Sequence, residues 1–361
     1  MTGVSAAPPA RAFYAVTWVT GWLIWGRKLL IEGGFWSTIG RSTWISYGQH
    51  YSDSLYENRT RTIWIISLAP STKKKVLITD LDNTLFDWVD LWHVCFSTML
   101  SEIVRISGIS EEELKPAIRG VHQKHGTSEY SFLLEELPSL RDRFGNKDLT
   151  EVFAPAIDAY RQKRREKLRL YPVVAETLLK IKGAGAAIIG YTESMAFYSN
   201  YRVRRLGLDG VFDQIFSPAD HDVPGGISVD DIRKYPSSYY KFRYTTHNHT
   251  PKGSLKPDTE VLLEIISKLG VQPSDCVYVG DSLHKDVAMA RDCRVMDVYA
   301  QYGRAQHTEA YQLLREVTHW SDEDVVREKR INERHVVPGI TLENNFGELL
   351  DHVQFGVWHE A

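Results

Sequence analysis

Short apolar runs separated by helix-patterned stretches constrain this chain more than any other feature. Val76-Leu77-Ile78-Thr79, Ala186 to Tyr191, Gln214 to Phe216, Cys276 to Val279 and Val295 to Tyr299 have the length and make-up of buried strands. Val173 to Ile181 and Ser194 to Leu206 read as helices, broken by Gly183 and Gly207. Pro257 to Leu269 reads as a helix with proline at its start and Gly270 past its end. Leu283 to Arg291 and the last strand complete the series. Strands alternating with helices predict the α/β class, a parallel sheet with helices on both faces. Ligands of such sheets bind beyond the carboxyl ends of the strands.

The regular pattern begins at residue 73 and is interrupted once. From 88 to 170 no strand is convincing. Trp88 to Ile106 is apolar at helical spacing, Ser110-Glu111-Glu112-Glu113 resembles a capping box, and Leu149 to Leu168 is helical with a basic end. This stretch reads as an inserted α-helical domain, leaving 73–87 and 171–300 as the core. Residues 217–255 read as a long loop or flap in that core. Residues 301–361 read as a C-terminal extension, with an amphipathic helix at Glu309 to Val317 and a charged one at Asp322 to Arg330. Packing tail is the plain reading there, a homodimer contact the sharper one.

Residues 1–72 differ in composition, holding six of the ten tryptophans. Their uncharged, aromatic run from Phe13 to Trp25 is shorter than the roughly 20 residues that span a bilayer. A poorly ordered extension is the preferred reading, with membrane contact through 13–25 the alternative. With a net charge of -3, nothing advertises nucleic-acid binding. The three scattered cysteines, Cys95, Cys276 and Cys293, suit reduced thiols and a cytoplasmic location.

Each strand end carries chemistry. In Asp80-x-Asp82-x-Thr84, two carboxylates on one side of an extended backbone want a hard cation such as Mg²⁺. Asp281 follows Cys276–Val279, with Asp286 a helical turn on. Thr192 ends another strand, and Lys256 precedes a helix. Taken singly, each is a turn residue, a helix cap or a solvated lysine. Together they supply metal carboxylates, a hydroxyl and an ammonium, a set that fits a phosphoryl group coordinated to Mg²⁺.

This combination resembles the haloacid dehalogenase superfamily of Mg²⁺-dependent phosphohydrolases. Asp80-Leu81-Asp82-Asn83-Thr84-Leu85, Ile188-Ile189-Gly190-Tyr191-Thr192, Lys256-Pro257-Asp258 and Gly280-Asp281-Ser282-x-x-x-Asp286 match its four motifs in order. The resemblance implies a Rossmann-like core with a C1-type helical cap. It implies that Asp80 is a nucleophile forming an aspartyl-phosphate and that Asp82 is the general acid, then the base. Thr192 and Lys256 would hold phosphoryl oxygens. Asp80, the main-chain carbonyl of Asp82, Asp281 and Asp286 would surround Mg²⁺. The substrate would be a small phosphorylated metabolite: a nucleotide, sugar phosphate or phosphoglycolate. A phosphomutase shares the motifs, and a non-catalytic interaction protein retaining the fold is the alternative from another class.

Two features depart from the family pattern. The interval Ser217 to Leu255 is long, and a second metal site at His221, His247 and His249 is its sharpest reading. Glu193-Ser194 follows Thr192, where asparagine is frequent.

Overall fold

The computed structural model describes residues 73–223, 233, 235–304, 309–321 and 336–359. The expectations for residues 1–72 and for a helix over 322–330 lie outside the described residues.

The core is a seven-stranded sheet of β1 (Val76–Thr79), β2 (Ala187–Tyr191), β3 (Gln214–Ser217), β4 (Thr246–His249), β5 (Cys276–Gly280), β6 (Met296–Ala300) and β7 (Ile340–Leu342). Their spatial order is β4-β3-β2-β1-β5-β6-β7, and every pairing is parallel. All residues of β1, β2 and β5 are buried. That is why these strands read as unbroken apolar runs: helices cover both faces. The pleat sends Leu77 into one apolar cluster with Ile188 and Val277, and Val76 and Ile78 into another with Ile189, Tyr278 and Leu262. Each such side chain contributes about 1.5–3 kcal/mol on burial.

Register places the site. Thr79 lies opposite Gly190 of β2 and Val279 of β5, so three strand ends stop at one level. Asp80, Thr192 and Asp281 follow within one or two residues.

The insert is α-helical: α1 (Trp88–Ser107), α2 (Glu111–His125), α3 (Pro138–Phe144), α4 (Leu149–Val152) and α5 (Ala154–Lys167). It has its own core, including Trp92, Phe96, Leu100, Ile118 and Phe153. The single helix expected from Leu149 to Leu168 is two. Pro155 lies in the first turn of α5, where its missing N–H costs nothing, and so starts a new helix.

The core helices are α6 (Val174–Gly183), α7 (Ala196–Arg205), α8 (Thr259–Lys268) and α9 (Ala288–Asp292). Proline does not open α8. Asp258 caps it, accepting from the Val261 N–H at 3.0 Å, and Pro257 lies outside. Leu283–Val287 is a π-helical turn leading into α9 rather than regular helix.

One stretch holds a strand that its sequence did not suggest, and another holds the helix expected of it. Within 217–255, Thr-His-Asn-His forms edge strand β4, which no apolar pattern announces. Beyond residue 300, α10 (Glu309–Val317) buries Leu314 and Val317 in the core of the insert. The three-residue β7 then extends the sheet, and α11 (Leu349–His352) follows. Among the described residues no helix is long and apolar enough to cross a membrane.

Candidate active site

Asp80 continues the line of β1, its N–H donating to the Val279 carbonyl at 2.9 Å. The chain then reverses. Asn83 takes a left-handed conformation (φ 59°), which asparagine tolerates, and its Oδ1 accepts from the N–H groups of Trp88 and Val89. The same turn lets the Thr84 hydroxyl donate to Asp80 Oδ2 at 3.2 Å. Gly303 packs against the Asn83 carbonyl so closely that a Cβ there would collide with it.

Lys256 enters from the loop before α8 and is buried. Its Nζ donates to Asp80 Oδ1 at 2.6 Å and to Asp286 Oδ1 at 3.0 Å. Asp286 is further fixed by the Tyr278 hydroxyl at 3.0 Å and the Ser282 N–H at 3.1 Å. Gly280 makes room for it, since a side chain at that position would overlap the Asp286 carboxylate. Asp80, Asp281 and Asp286 each bring one carboxylate oxygen within 4.8 Å of the others'.

Burial pushes the Asp80 carboxyl up to about 7, with Lys256 opposing and the charges of Asp286 and Asp82 adding to the rise. Burial, then Asp80 and Asp286, raise Asp281 well above its ordinary range. Burial acts to lower Lys256, but Asp286 and Asp80 outweigh it and hold the ammonium. Three carboxylates against one ammonium leave excess negative charge in a site from which water is largely excluded. An all-oxygen donor set of this kind fits a hard dication such as Mg²⁺. A bound dication would lower these carboxyl pKa values again.

The carboxylate of Asp82 stands apart from that cluster. Its Oδ2 accepts from the Ser194 hydroxyl at 2.6 Å and from the Thr192 hydroxyl at 3.4 Å. Its Oδ1 accepts from Arg202 at 3.2 Å. Arg202, from α7, also donates to both carboxylate oxygens of Glu129 in the insert, at 2.5 and 2.6 Å. Both partners are nearly fully buried, so a core helix and the insert meet through one charge-assisted fork.

The expected residues therefore assemble in two neighbouring groups: Asp80, Lys256, Asp281 and Asp286, then Asp82 with Thr192. Three contributors carry no signal in the sequence. Arg202 is one of several arginines in α7, Glu129 sits in a polar loop, and Tyr278 passes for a core residue. Glu193, noted only as a departure, accepts from the Lys256 N–H at 2.9 Å and from Lys285 Nζ at 2.6 Å, which fixes the lysine loop.

The second metal site does not form. His247 bonds to Ser217 Oγ at 2.8 Å beside His249, whereas His221 packs against Tyr130 and His125 of the insert. Among the described residues, Asp80, Asp281 and Asp286 make up the one group of three or more side chains drawn together as metal ligands.

The chain is 23% identical to a glyceraldehyde 3-phosphate phosphatase of Methanopyrus kandleri over 241 residues, covering 65% of this chain and 87% of the relative. It is 20% identical to the same-named protein of Methanocaldococcus jannaschii over 236 residues, covering 65% and 88%. Among solved structures, a 2-haloacid dehalogenase from Pseudomonas syringae pv. Tomato is 17% identical with a TM-score of 0.46, over 77% of this chain and 97% of that one. The family model for haloacid dehalogenase-like hydrolases matches residues 74–294, which span both carboxylate groups, the insert and the buried lysine. Because that match takes in more than half of the chain, the protein belongs to the haloacid dehalogenase-like hydrolase family.

Proposed function

We propose that the protein is a Mg²⁺-dependent phosphatase that hydrolyses a small phosphorylated metabolite through an aspartyl-phosphate. One observation carries this reading. Two carboxylates two residues apart are separated by environment: Asp80 lies against a buried ammonium and an acidic cluster, Asp82 among hydroxyls and Arg202. That separation supports the reading of one aspartate as nucleophile and the other as proton donor and acceptor.

In the first transfer Asp80 attacks phosphorus, the bond from phosphorus to the leaving oxygen breaks, and Asp82 gives that oxygen its proton. In the second, water attacks the phosphoryl group, Asp82 takes the water's proton, and the bond to Asp80 breaks to release phosphate. Lys256 offsets the repulsion between carboxylate and phosphate and favours the charge on the transferring oxygens. The hydroxyl of Thr192, just past β2 and 3.4 Å from Asp82 Oδ2, would donate instead to a phosphoryl oxygen. Asp80, Asp281 and Asp286, with the Asp82 carbonyl, would hold Mg²⁺, which when bound supplies further positive charge for the same purpose. The two relatives named glyceraldehyde 3-phosphate phosphatase support a substrate of that size.

The test is hydrolysis of p-nitrophenyl phosphate with Mg²⁺, with EDTA, and by Asp80→Asn. Turnover with Mg²⁺ that EDTA and the substitution both abolish is expected. Undiminished turnover in EDTA, or in Asp80→Asn, overturns the reading.

A further inference from the structure

A cavity of about 580 Å³ lies beyond the Arg202–Glu129 fork. Its walls come from the insert, from α7 and from the segment before β4. Glu129 lines it, and Arg202 joins Glu129 to Asp82, so one guanidinium separates the cavity from the proposed acid/base.

Five arginines line this space. Arg161, Arg164 and Arg165 come from one face of α5, at the three- and four-residue spacing that brings helix side chains together. Arg205 comes from the end of α7, and Arg233 from the segment before β4. A run of arginines on a single helix is ordinarily a solvated face. Convergence from three separate stretches of chain is a different observation.

Two of the five have carboxylate partners beyond the walls, Arg161 with Asp158 and Arg233 with Asp220, each at 3.4 Å, and the carboxylates on the walls themselves are engaged elsewhere. Glu129 is committed to Arg202, and Glu135 accepts a hydrogen bond from Thr150. Arg164 is the telling residue. Its guanidinium lies 4.0 Å from the ring centre of Tyr201 and 5.6 Å from that of Tyr160, yet its buried Nε has no hydrogen-bond partner. Stacking fixes the plane of a guanidinium, and a guanidinium so held is the group that takes a planar or tetrahedral oxyanion edge-on.

Resting on the phosphatase reading above, we infer that this cavity receives the leaving group of the substrate and that its arginines recognise a second anionic group, carboxylate or phosphate, on that leaving group. The volume accommodates more than a three-carbon chain. Tyr198, Phe197 and Tyr240 offer ring faces alongside the arginines.

The experiment compares kcat/KM for phenyl phosphate, para-carboxyphenyl phosphate and para-phenylene bisphosphate, in the wild type, Arg164→Ala and Arg165→Glu. Arg165 is exposed, so its substitution keeps the test open if loss of Arg164 impairs folding. A charge-assisted hydrogen bond is worth enough to give the wild type a preference of about tenfold or more for an anionic leaving group. Both substitutions should move that ratio toward one. The larger of the two ratios identifies carboxylate or phosphate as the group recognised. Hydrolysis of phenyl phosphate with equal preference, or with a preference that neither substitution alters, overturns the inference and leaves the phosphatase reading standing. Failure to hydrolyse any of them, p-nitrophenyl phosphate included, overturns both.

Discussion

Lys256 shows how much of the site depends on one side chain. Its ammonium is shared by Asp80 and Asp286 where water scarcely reaches, so removing it strands two carboxylates. Breaking a buried pair in this way costs about 3–5 kcal/mol. Lys256→Ala should therefore lower the chemical-denaturation stability by that order and lower kcat at least about 100-fold. Added Mg²⁺ should restore part of the stability by binding the folded form, but not the turnover. A variant as stable as the wild type would remove the lysine from this role. Gly280→Ala tests the same cluster by steric means. The new methyl group pushes on the Asp286 carboxylate, and the Mg²⁺ concentration for half-maximal activity should rise. At this scale the sequence was informative where residue type and position coincide. Asp80, Asp82 and Asp281 stand at or just past the carboxyl ends of buried strands, where ligands of a parallel sheet bind, and Lys256 stands in the loop before a helix. Arg202 and Glu129 were illegible because their partnership spans 73 residues and no periodicity connects them.

Helices in the insert raise a question of proton uptake. His122 of α2 donates from Nδ1 to the Val317 carbonyl at the end of α10, at 2.6 Å. Burial pushes this imidazole down to about 4, against the hydrogen bond and with small contributions from His319 and His125. The folded state thus resists a proton that the unfolded chain accepts from pH 6.5 downward. Stability is full above that pH, falls as the pH drops toward about 4, and levels off below it. A shift of this size corresponds to about 3 kcal/mol. His122→Gln should flatten that part of the pH profile in equilibrium denaturation, and an unchanged slope would clear His122 of responsibility. The fork between α7 and the insert invites a companion measurement. Glu129→Gln leaves Arg202 with a weaker partner in the insert and should lower kcat/KM about tenfold, because the guanidinium also positions Asp82. Elements themselves were legible when both faces are buried, as in β1, β2 and β5. Strand β4 carries two histidines and no apolar residue, and β7 has three residues, so neither leaves a pattern to read. The break between α4 and α5 was written in Pro155, outweighed by the apolar spacing around it.

For the molecule as a whole, the sheet and the insert keep separate apolar cores, with Trp88 packed against both. Fold class followed from strand–helix alternation alone, since few architectures accommodate it. Beyond residue 300 the expected helix, Glu309 to Val317, forms and packs, and the sequence left open only which core it joins. Leu314 lies buried among the residues of the insert, so Leu314→Ala should cost about 2–5 kcal/mol and lower the thermal midpoint. An unchanged midpoint would mean that α10 contributes nothing to the insert's stability. That helix has a mechanical meaning as well. The polypeptide passes from sheet to insert after β1, returns before β2, passes out again to α10 and comes home to β7. A domain tethered by one pair of strands of chain can swing like a door. This one is laced at two places, and any movement that parts it from the sheet must carry α10 along or strip it away.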